Sequence, residues 1–153
     1  MYTHLFVALD GSELAERVLP HVAALAQQFG STVTLVRASR PPSTIVTAAA
    51  GDPLLGVVDP TPIVQDERHE ALEYLVARAK QLGSRGLQIG YEQPEGPAGE
   101  VIVQRARELG ADLIAMTTHG RGGLGRVIFG SVADEVLRHA PCPILLVRVS
   151  DRD

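Results

Sequence analysis

Short apolar segments typical of β-strands alternate with amphipathic helical segments along the chain, and this alternation constrains the fold more than any other feature. Leu113–Met116 and Ile144–Val147 are apolar at every position, which indicates strands covered by helices on both faces. The alternation predicts an α/β fold with a mostly parallel, doubly wound sheet. The predicted strands are His4–Leu9, Thr32–Ala38, Leu87–Glu92, Asp112–Thr117 and Pro143–Val149. The predicted helices run from about Leu14 to Phe29, Asp66 to Leu82, Pro97 to Gly110 and Val127 to His139.

Two strand-to-helix turns carry residues typical of a binding site. Asp10-Gly11-Ser12 follows the first strand, and a glycine-rich turn follows the fourth. In parallel sheets ligands bind beyond the carboxyl ends of strands, where the strand order reverses. If both turns line one crevice, the first and fourth strands are neighbours and the strand order is 3-2-1-4-5. Asp10 with Glu13 also resembles a capping box for the first helix, in which Pro20 predicts a kink.

Length and composition favour a single soluble domain over the whole chain. The 153 residues suit one domain, and a net charge of −4 argues against nucleic-acid binding. No basic leader segment or apolar run long enough to span a bilayer is present, so we expect a cytoplasmic protein without a membrane partner. The single cysteine, Cys142, excludes an intrachain disulfide. Residues 40–63 contain five prolines and predict a long irregular excursion.

The glycine-rich segment after the fourth strand predicts an anion site. It reads LIAMTTHGRGGLGRVIFGS over residues 113–131 and ends in Gly130-Ser131. Glycines let backbone N–H groups approach a ligand, and a helix start adds free donors and partial positive charge. Phosphate is the usual anion at such a place. The alternative is a flexible surface loop between a strand and a helix.

Two familiar nucleotide motifs do not fit this segment. Residues 120–125 match the spacing of a dinucleotide fingerprint, but they follow the fourth strand and no acidic residue stands about 20 positions further on. A P-loop requires a lysine after its second glycine, and the only lysine is Lys80, on a predicted helix. The histidines show no metal-ligand spacing, and His119 is better explained as a loop-orienting or solvent-facing residue.

A different arrangement does fit, because Gly120 is followed after nine residues by Gly130-Ser131 and Asp10 follows the first strand. Together with VALDGSELAERVL near the front and ADLIAMTTHGRGGLGRVIFGSVADEVLRHAPCPILLVR at the back, this resembles the universal stress protein family over essentially the whole chain. Members with this tail usually bind ATP. Thr117 stands where their pattern has its first glycine. A threonine peptide group can still contact a ribose if its backbone stays in the β region.

The resemblance implies a role for each matching residue. The end of the first strand would meet the base edge and the metal–phosphate side, Ala38 would lie against adenine, and the end of the fourth strand would contact base and ribose. Backbone N–H groups and the Ser131 hydroxyl would hold the phosphates, which agrees with the anion site read from the residues themselves. Arg121 and Arg126 are nearby cations, for which phosphate contact and solvated loop charge are both open. The candidate residues are Leu9, Asp10, Ala38, Met116, Thr117, Gly120, Arg126, Gly130, Ser131 and Val132.

Asp10 has two readings, as a helix cap and as a site carboxylate. A carboxylate beside a triphosphate needs Mg²⁺ between the two, because like charges repel. Asp10 would therefore act on the metal indirectly, through Mg²⁺ carried by the phosphates.

The leading hypothesis is an ATP-binding regulatory stress-response protein that holds ATP and Mg²⁺ between strands 1 and 4. The alternatives are a slow ATP hydrolase and an interaction module that has lost the nucleotide. Fast turnover is not expected, because no lysine and no evident base stand at the site. The apolar last strand, Pro143–Val149, is expected at a sheet edge, and the resemblance implies a homodimer paired through it. We expect residues 40–63 to act either as a mobile flap beside the nucleotide or as an inert linker.

Overall fold

A five-stranded, all-parallel sheet organises the chain, in the order β3-β2-β1-β4-β5. The structure is a computed structural model and describes residues 1–39, 61–119 and 130–149. The strands are β1 (His4–Ala8), β2 (Thr32–Val36), β3 (Gln88–Glu92), β4 (Leu113–His119) and β5 (Ile144–Val149). In the register of the central strand, Leu5 lies opposite Val33 on one side and Leu113 on the other. The predicted order 3-2-1-4-5 and the α/β fold class are therefore confirmed.

Helices cover both faces of this sheet. The described helices are α1 (Glu13–Glu16), α2 (Leu19–Phe29), α3 (Thr61–Gly83), α4 (Ala98–Glu108) and α5 (Ser131–His139). Successive side chains of β1 point to opposite faces, so Leu5 and Val7 pack in one apolar cluster with α2 and α3, and Phe6 and Ala8 in the other with α4 and α5. Phe6 and Val7 have no exposed surface, and burial of such a side chain contributes about 1.5–3 kcal/mol.

The first helical segment differs from its prediction. It is not one kinked helix but two helices, α1 and α2, and Pro20 lies in the first turn of α2, where a missing N–H does no harm. The N-cap of α1 is Ser12, whose Oγ accepts a hydrogen bond from the Ala15 N–H at 3.1 Å. The predicted cap at Asp10 is wrong, because Gly11 turns the chain with φ +89° and delays the helix start.

Several element bounds also move by a few residues. β2 ends at Val36 rather than Ala38, because Ser39 leaves the strand and its N–H donates to the carbonyl of Pro94 at 2.9 Å. α3 begins at Thr61, inside the segment predicted to be irregular. α5 begins at Ser131 after an extended Gly130, not near residue 127. Residues 40–60 and the glycine-rich residues 120–129 lie outside the described part of the chain, and so does the flap-or-linker prediction.

No helix in the described ranges is both long and apolar enough to cross a lipid bilayer.

Candidate functional site

A cavity of about 620 Å³ opens at the carboxyl edge of the sheet, a size typical of small-molecule sites. It lies where the strand order reverses between β1 and β4, the usual ligand position in sheets of this kind. The turn after β1, the segment after β2, the end of β4 and the first turn of α5 form its walls, with α3 and α4 at its sides. The predicted site residues that line it are Leu9, Asp10, Ala38, Met116, Thr117, Gly130, Ser131 and Val132.

The other two predicted site residues, Gly120 and Arg126, lie outside the described ranges. The structure therefore brings together the predicted residues from four separate chain segments. Their contacts to a nucleotide stay predictions.

The turn after β1 fixes one end of the cavity. Leu9 is buried and its N–H donates to the Val36 carbonyl at 2.8 Å, which continues the pairing of β1 with β2. Asp10 is exposed, and its Oδ1 accepts a hydrogen bond from the Ser12 N–H at 2.8 Å. Only one carboxylate oxygen is used in this turn, so the other remains available to a ligand in the cavity.

The segment after β2 is fastened from the side. Ser39 N–H donates to the Pro94 carbonyl, and the Gly96 N–H donates to the Ser39 carbonyl at 3.0 Å. Both bonds fasten Ser39, and on the other side of Ala38 the Arg37 N–H donates to the Glu92 carbonyl at 3.2 Å. The short Ala38 side chain leaves room there that a larger residue would fill.

The N-terminus of α5 forms another part of the cavity wall. Its N-cap is Gly130, which has no side chain to satisfy the N–H groups of the first turn. Gly130, Ser131 and Val132 all line the cavity. Free N–H groups and the positive end of the helix dipole favour an anion at this place.

Charged side chains that the sequence analysis did not select also line the cavity. α3 contributes Glu67, Arg68 and Glu70, and Arg37 follows β2. Arg68 forms an ion pair with Glu95 at 3.9 Å. Arg37 directly precedes Ala38, a predicted site residue, so its place in the sequence could have marked it as a candidate. The α3 residues gave none, since a sequence does not show where a helix after a long connection crosses the sheet.

Tyr74 of α3 lies behind the Asp10 turn. Arg37 Cζ lies 5.5 Å and Arg78 Cζ 5.7 Å from its ring centroid. Burial, followed by the negative charge of Glu16 and a smaller contribution from Asp10, raises the pKa of Tyr74 far above its usual range. Tyr74 is therefore neutral at physiological pH and serves as a packing surface for two arginines.

The described residues provide no group of three or more His, Cys, Asp or Glu side chains suited to bind a metal ion. Asp10, Glu67 and Glu70 line the cavity as separate carboxylates. A magnesium ion here would need most of its oxygen ligands from a bound phosphate chain and water, which is its usual habit in nucleotide sites. The residues present thus fit Mg²⁺ only as the companion of a polyphosphate.

Comparison with known proteins identifies the wider relationship. A family model described as "Universal stress protein family" matches residues 1–148. Universal stress protein MJ0531 of Methanocaldococcus jannaschii is 30% identical, over 97% of this chain and 83% of that protein. A universal stress protein of Thermus aquaticus is 31% identical, over 97% of this chain and 100% of that protein.

Solved structures show the same fold. The hypothetical protein MJ0577 superposes with a TM-score of 0.79 at 24% identity, covering 99% of each chain. An Archaeoglobus fulgidus universal stress protein in complex with dAMP superposes with a TM-score of 0.67 at 23% identity, covering 95% of this chain and 98% of that one. A universal stress protein in complex with cAMP gives 0.65 at 20% identity, covering 96% of this chain and 97% of that one.

Proposed function

The chain belongs to the universal stress protein family, and from this premise we propose that it is an ATP-binding regulatory protein that holds ATP with Mg²⁺ in the carboxyl-edge cavity. One observation carries the proposal: predicted contact residues from β1, β2, β4 and α5 line a single cavity with an uncapped helix N-terminus at one end. Neighbours of the same fold are described as complexes with dAMP and cAMP, which supports an adenine nucleotide as ligand.

In this proposal the two ends of the cavity divide the nucleotide between them. The phosphates lie at the N–H groups of Gly130, Ser131 and Val132, where charge-assisted hydrogen bonds need no lysine. The base and ribose lie along Ala38, Met116 and Thr117, between the ends of β2 and β4. Asp10 reaches the Mg²⁺ that the phosphates carry.

Calorimetry with nucleotide-stripped protein tests this function. Wild-type protein should bind Mg-ATP, and Ser131→Ala should weaken binding by about 0.5–1.5 kcal/mol, the net value of one hydrogen bond. Ser84→Ala is the matched control, because the Ser84 hydroxyl donates to the Gln81 carbonyl at the end of α3 and does not line the cavity. No binding of ATP by the stripped wild type would overturn the proposal.

Gly130→Val should abolish binding without unfolding the protein. Gly130 has φ −62°, which valine can adopt, and a Cβ placed there meets no atom of the described residues within 4 Å. The added side chain would therefore project into space that the phosphates need. Unchanged ATP affinity in this variant would argue against phosphates at the α5 N-terminus. Adenine nucleotide released by heating the purified protein, identified by ion-exchange chromatography, would provide independent support.

We also propose that binding is not coupled to rapid catalysis. Phosphoryl transfer needs positioned cations and an oriented nucleophile, and the described cavity wall has no lysine or histidine side chain. Phosphate release should be far below the roughly 1–100 per second of typical kinases. A steady-state phosphate assay checks this, and a rate inside that range would contradict it.

A further inference from the structure

Arg37 occupies an unusual place in the cavity wall. Its guanidinium lies so close to the backbone of Gly11 that a Cβ at that position would be 2.8 Å from Cζ and from Nη1. The absence of a side chain at Gly11 therefore leaves the space that the guanidinium occupies beside the turn that follows β1. The arginine crosses from the end of β2 to the residue next to Asp10.

The other side of the guanidinium is held by Tyr74, whose ring centroid lies 5.5 Å from Arg37 Cζ. A cation over an aromatic face is attracted by the ring quadrupole. Arg78 Cζ lies 5.7 Å from the centroid of the same ring, and Arg78 forms an ion pair with Glu16 at 3.1 Å. Arg37 is thus confined between a glycine backbone and a neutral aromatic ring.

Arg37 differs from neighbouring arginines in its charge partners. Arg78 pairs with Glu16 and Arg68 with Glu95, whereas no carboxylate in the described ranges forms an ion pair with Arg37. A guanidinium carries five N–H donors and no acceptor. Since none of these donors is neutralised by a described carboxylate, Arg37 is equipped to meet acceptor atoms of a ligand.

The position of Arg37 indicates which part of a nucleotide it meets. Leu35 packs in the cluster under α2 and α3, and Val36 packs under α4 and α5. Side chains alternate between the two faces of a strand, so Arg37 lies on the face of the sheet that α3 covers. Its contact with Tyr74 of α3 agrees with this. The N-terminus of α5 lies on the other face of the sheet. On the face where Arg37 lies, α3 lines the cavity with two carboxylates, Glu67 and Glu70, and its cation Arg68 is already paired with Glu95, so a phosphate chain is disfavoured there.

We propose that Arg37 is a specificity-determining residue that donates hydrogen bonds to a ring nitrogen of the purine base. An adenine edge offers ring-nitrogen acceptors on either side of its amino group, and the guanidinium supplies the matching donors. This inference rests on the proposed nucleotide binding and adds the residue that selects the base.

Arg37→Met tests the inference, because methionine keeps an unbranched stem against Tyr74 and removes the donors. Calorimetry on stripped protein would use ATP, adenosine and inorganic tripolyphosphate as separate probes. We expect affinity for ATP and adenosine to fall about 10- to 100-fold, the range for a hydrogen bond to a charged group, and affinity for tripolyphosphate to stay the same. Arg78→Met is the matched control, since Arg78 stacks on the same ring and does not line the cavity.

Deaza analogues of ATP identify the atom that is read. Analogues that lack N1, N3 or N7 each remove one ring acceptor, and wild-type protein should lose affinity for the one whose nitrogen Arg37 contacts. Arg37→Met should bind that analogue and ATP with the same affinity. The substitution and the missing nitrogen each remove the same contact, so their effects on affinity are not additive. Thermal unfolding checks that each variant is folded, and Arg37→Leu, which also lacks the donors, replaces Arg37→Met if the latter is not.

Three results would overturn the inference. Arg37→Met could bind every probe as wild type does, or it could lose affinity for tripolyphosphate and keep it for adenosine, which would make Arg37 a phosphate ligand. The third is equal sensitivity of wild type and Arg37→Met to every deaza analogue. Failure of wild-type protein to bind ATP at all would instead reject the proposed function, so the two failures are distinguishable.

Discussion

Asp112 joins the beginnings of β1 and β4 at the edge of the sheet opposite the cavity. Its carboxylate accepts hydrogen bonds from the Thr3 N–H at 2.7 Å, the Thr3 hydroxyl at 2.6 Å and the His4 N–H at 3.1 Å. Partial burial opposes ionisation, but the hydrogen bonds from Thr3 and His4 outweigh it and lower the pKa of Asp112 below its usual value. The ionised form is therefore favoured by folding.

Replacement of Asp112 by asparagine should lower the free energy of unfolding by about 1–2 kcal/mol at neutral pH, because charge-assisted hydrogen bonds become neutral. The stabilisation from a lowered pKa is present above the unfolded value of about 3.9 and is lost as pH falls through the folded value. The difference between wild type and Asp112→Asn should accordingly shrink in acid. Urea unfolding across pH measures this, with the exposed Asp66→Asn as control, and a constant difference would contradict it.

Gly11 is the second residue whose replacement should lower the stability of the protein. Gly11→Ala combines a positive φ of +89° with a Cβ 2.8 Å from the Arg37 guanidinium. Gly30→Ala provides the matched control, since Gly30 has φ +66° and open space around a Cβ. We expect about 1 kcal/mol of backbone strain in both variants, and displacement of Arg37 in Gly11→Ala alone. Thermal unfolding measures the backbone strain, and adenosine affinity measures the displacement of Arg37. An equal loss of adenosine affinity in both variants would show that the loss does not come from displacement of Arg37.

At this scale the sequence predicts which residues lie near one another where the backbone itself carries the signal. Leu9, Asp10 and Ala38 follow strand ends, and Thr117 lies near the end of β4, which runs to His119 rather than to the predicted Thr117, so the topology alone brings these residues to one edge. Arg37 was missed because the course of a long side chain depends on what surrounds it, here a glycine and a ring from a distant helix. The cap at Asp10 was wrong for a similar reason, since one positive φ at Gly11 moves the helix start to Glu13.

At the scale of elements, the position of α5 depends on its close contact with α4. A Cβ built at Gly99 would lie 2.6 Å from Cβ and Cγ of Glu135, so the two helices approach more closely than any side chain at position 99 would permit. This contact supports the helix whose N-terminus forms the anion end of the cavity. Gly99 therefore contributes to the site without lining it.

Gly99→Ala should push α5 away from α4 and reduce stability by about 1–3 kcal/mol, the usual cost of overpacking. Movement of the α5 N-terminus should also weaken ATP binding, because its N–H groups would leave their places around the phosphates. Gly83→Ala, at the end of α3 with open space around its Cβ, is the control. Denaturant unfolding measures the loss of stability, and calorimetry measures the loss of ATP affinity. If Gly99→Ala is destabilised but binds ATP as tightly as wild type, the position of α5 does not control binding.

The types of these elements could be predicted, and their ends less well. Apolar runs and helical spacing identify each strand and helix, and the glycines at positions 30 and 110 correctly mark helix ends with φ +66° and +62°. The start of α3 at Thr61 was hidden, because prolines near its beginning resemble an irregular segment although proline is tolerated in a first helical turn.

For the whole molecule, β5 is an edge strand of half-buried apolar residues, Ile144–Val147. An apolar edge of this kind invites pairing with another chain unless it is covered. We predict a homodimer that pairs two copies of β5 across a two-fold axis. Light scattering at micromolar concentration checks the mass, and a monomer would contradict the prediction.

A lysine on each edge of the sheet tests which strand is used. Leu146→Lys should yield monomer, because edge lysines oppose strand pairing. Tyr91→Lys, at an exposed position on the opposite edge strand β3, should remain dimeric. Dissociation by Tyr91→Lys and not by Leu146→Lys would assign the interface to β3.

The strand order was suggested by two turns, since a shared crevice requires β1 and β4 to be neighbours, and the structure confirms it. The direction of each crossover needed no further signal, because connections between parallel strands are nearly always right-handed. The sequence did not show which residues of α3 line the cavity, because that depends on how α3 packs across the folded sheet.

The central place of β1 also shapes how the protein emerges from a ribosome. β1 is made first and can pair with β2 soon afterwards, but its other edge has no partner until β4 has been synthesised, more than half a chain later. Translation at about 5–20 residues per second leaves that edge open for several seconds. Leu5, Phe6 and Val7, buried in the finished sheet, are exposed during this interval, so a nascent chain arrested before β4 is the form most in need of a chaperone.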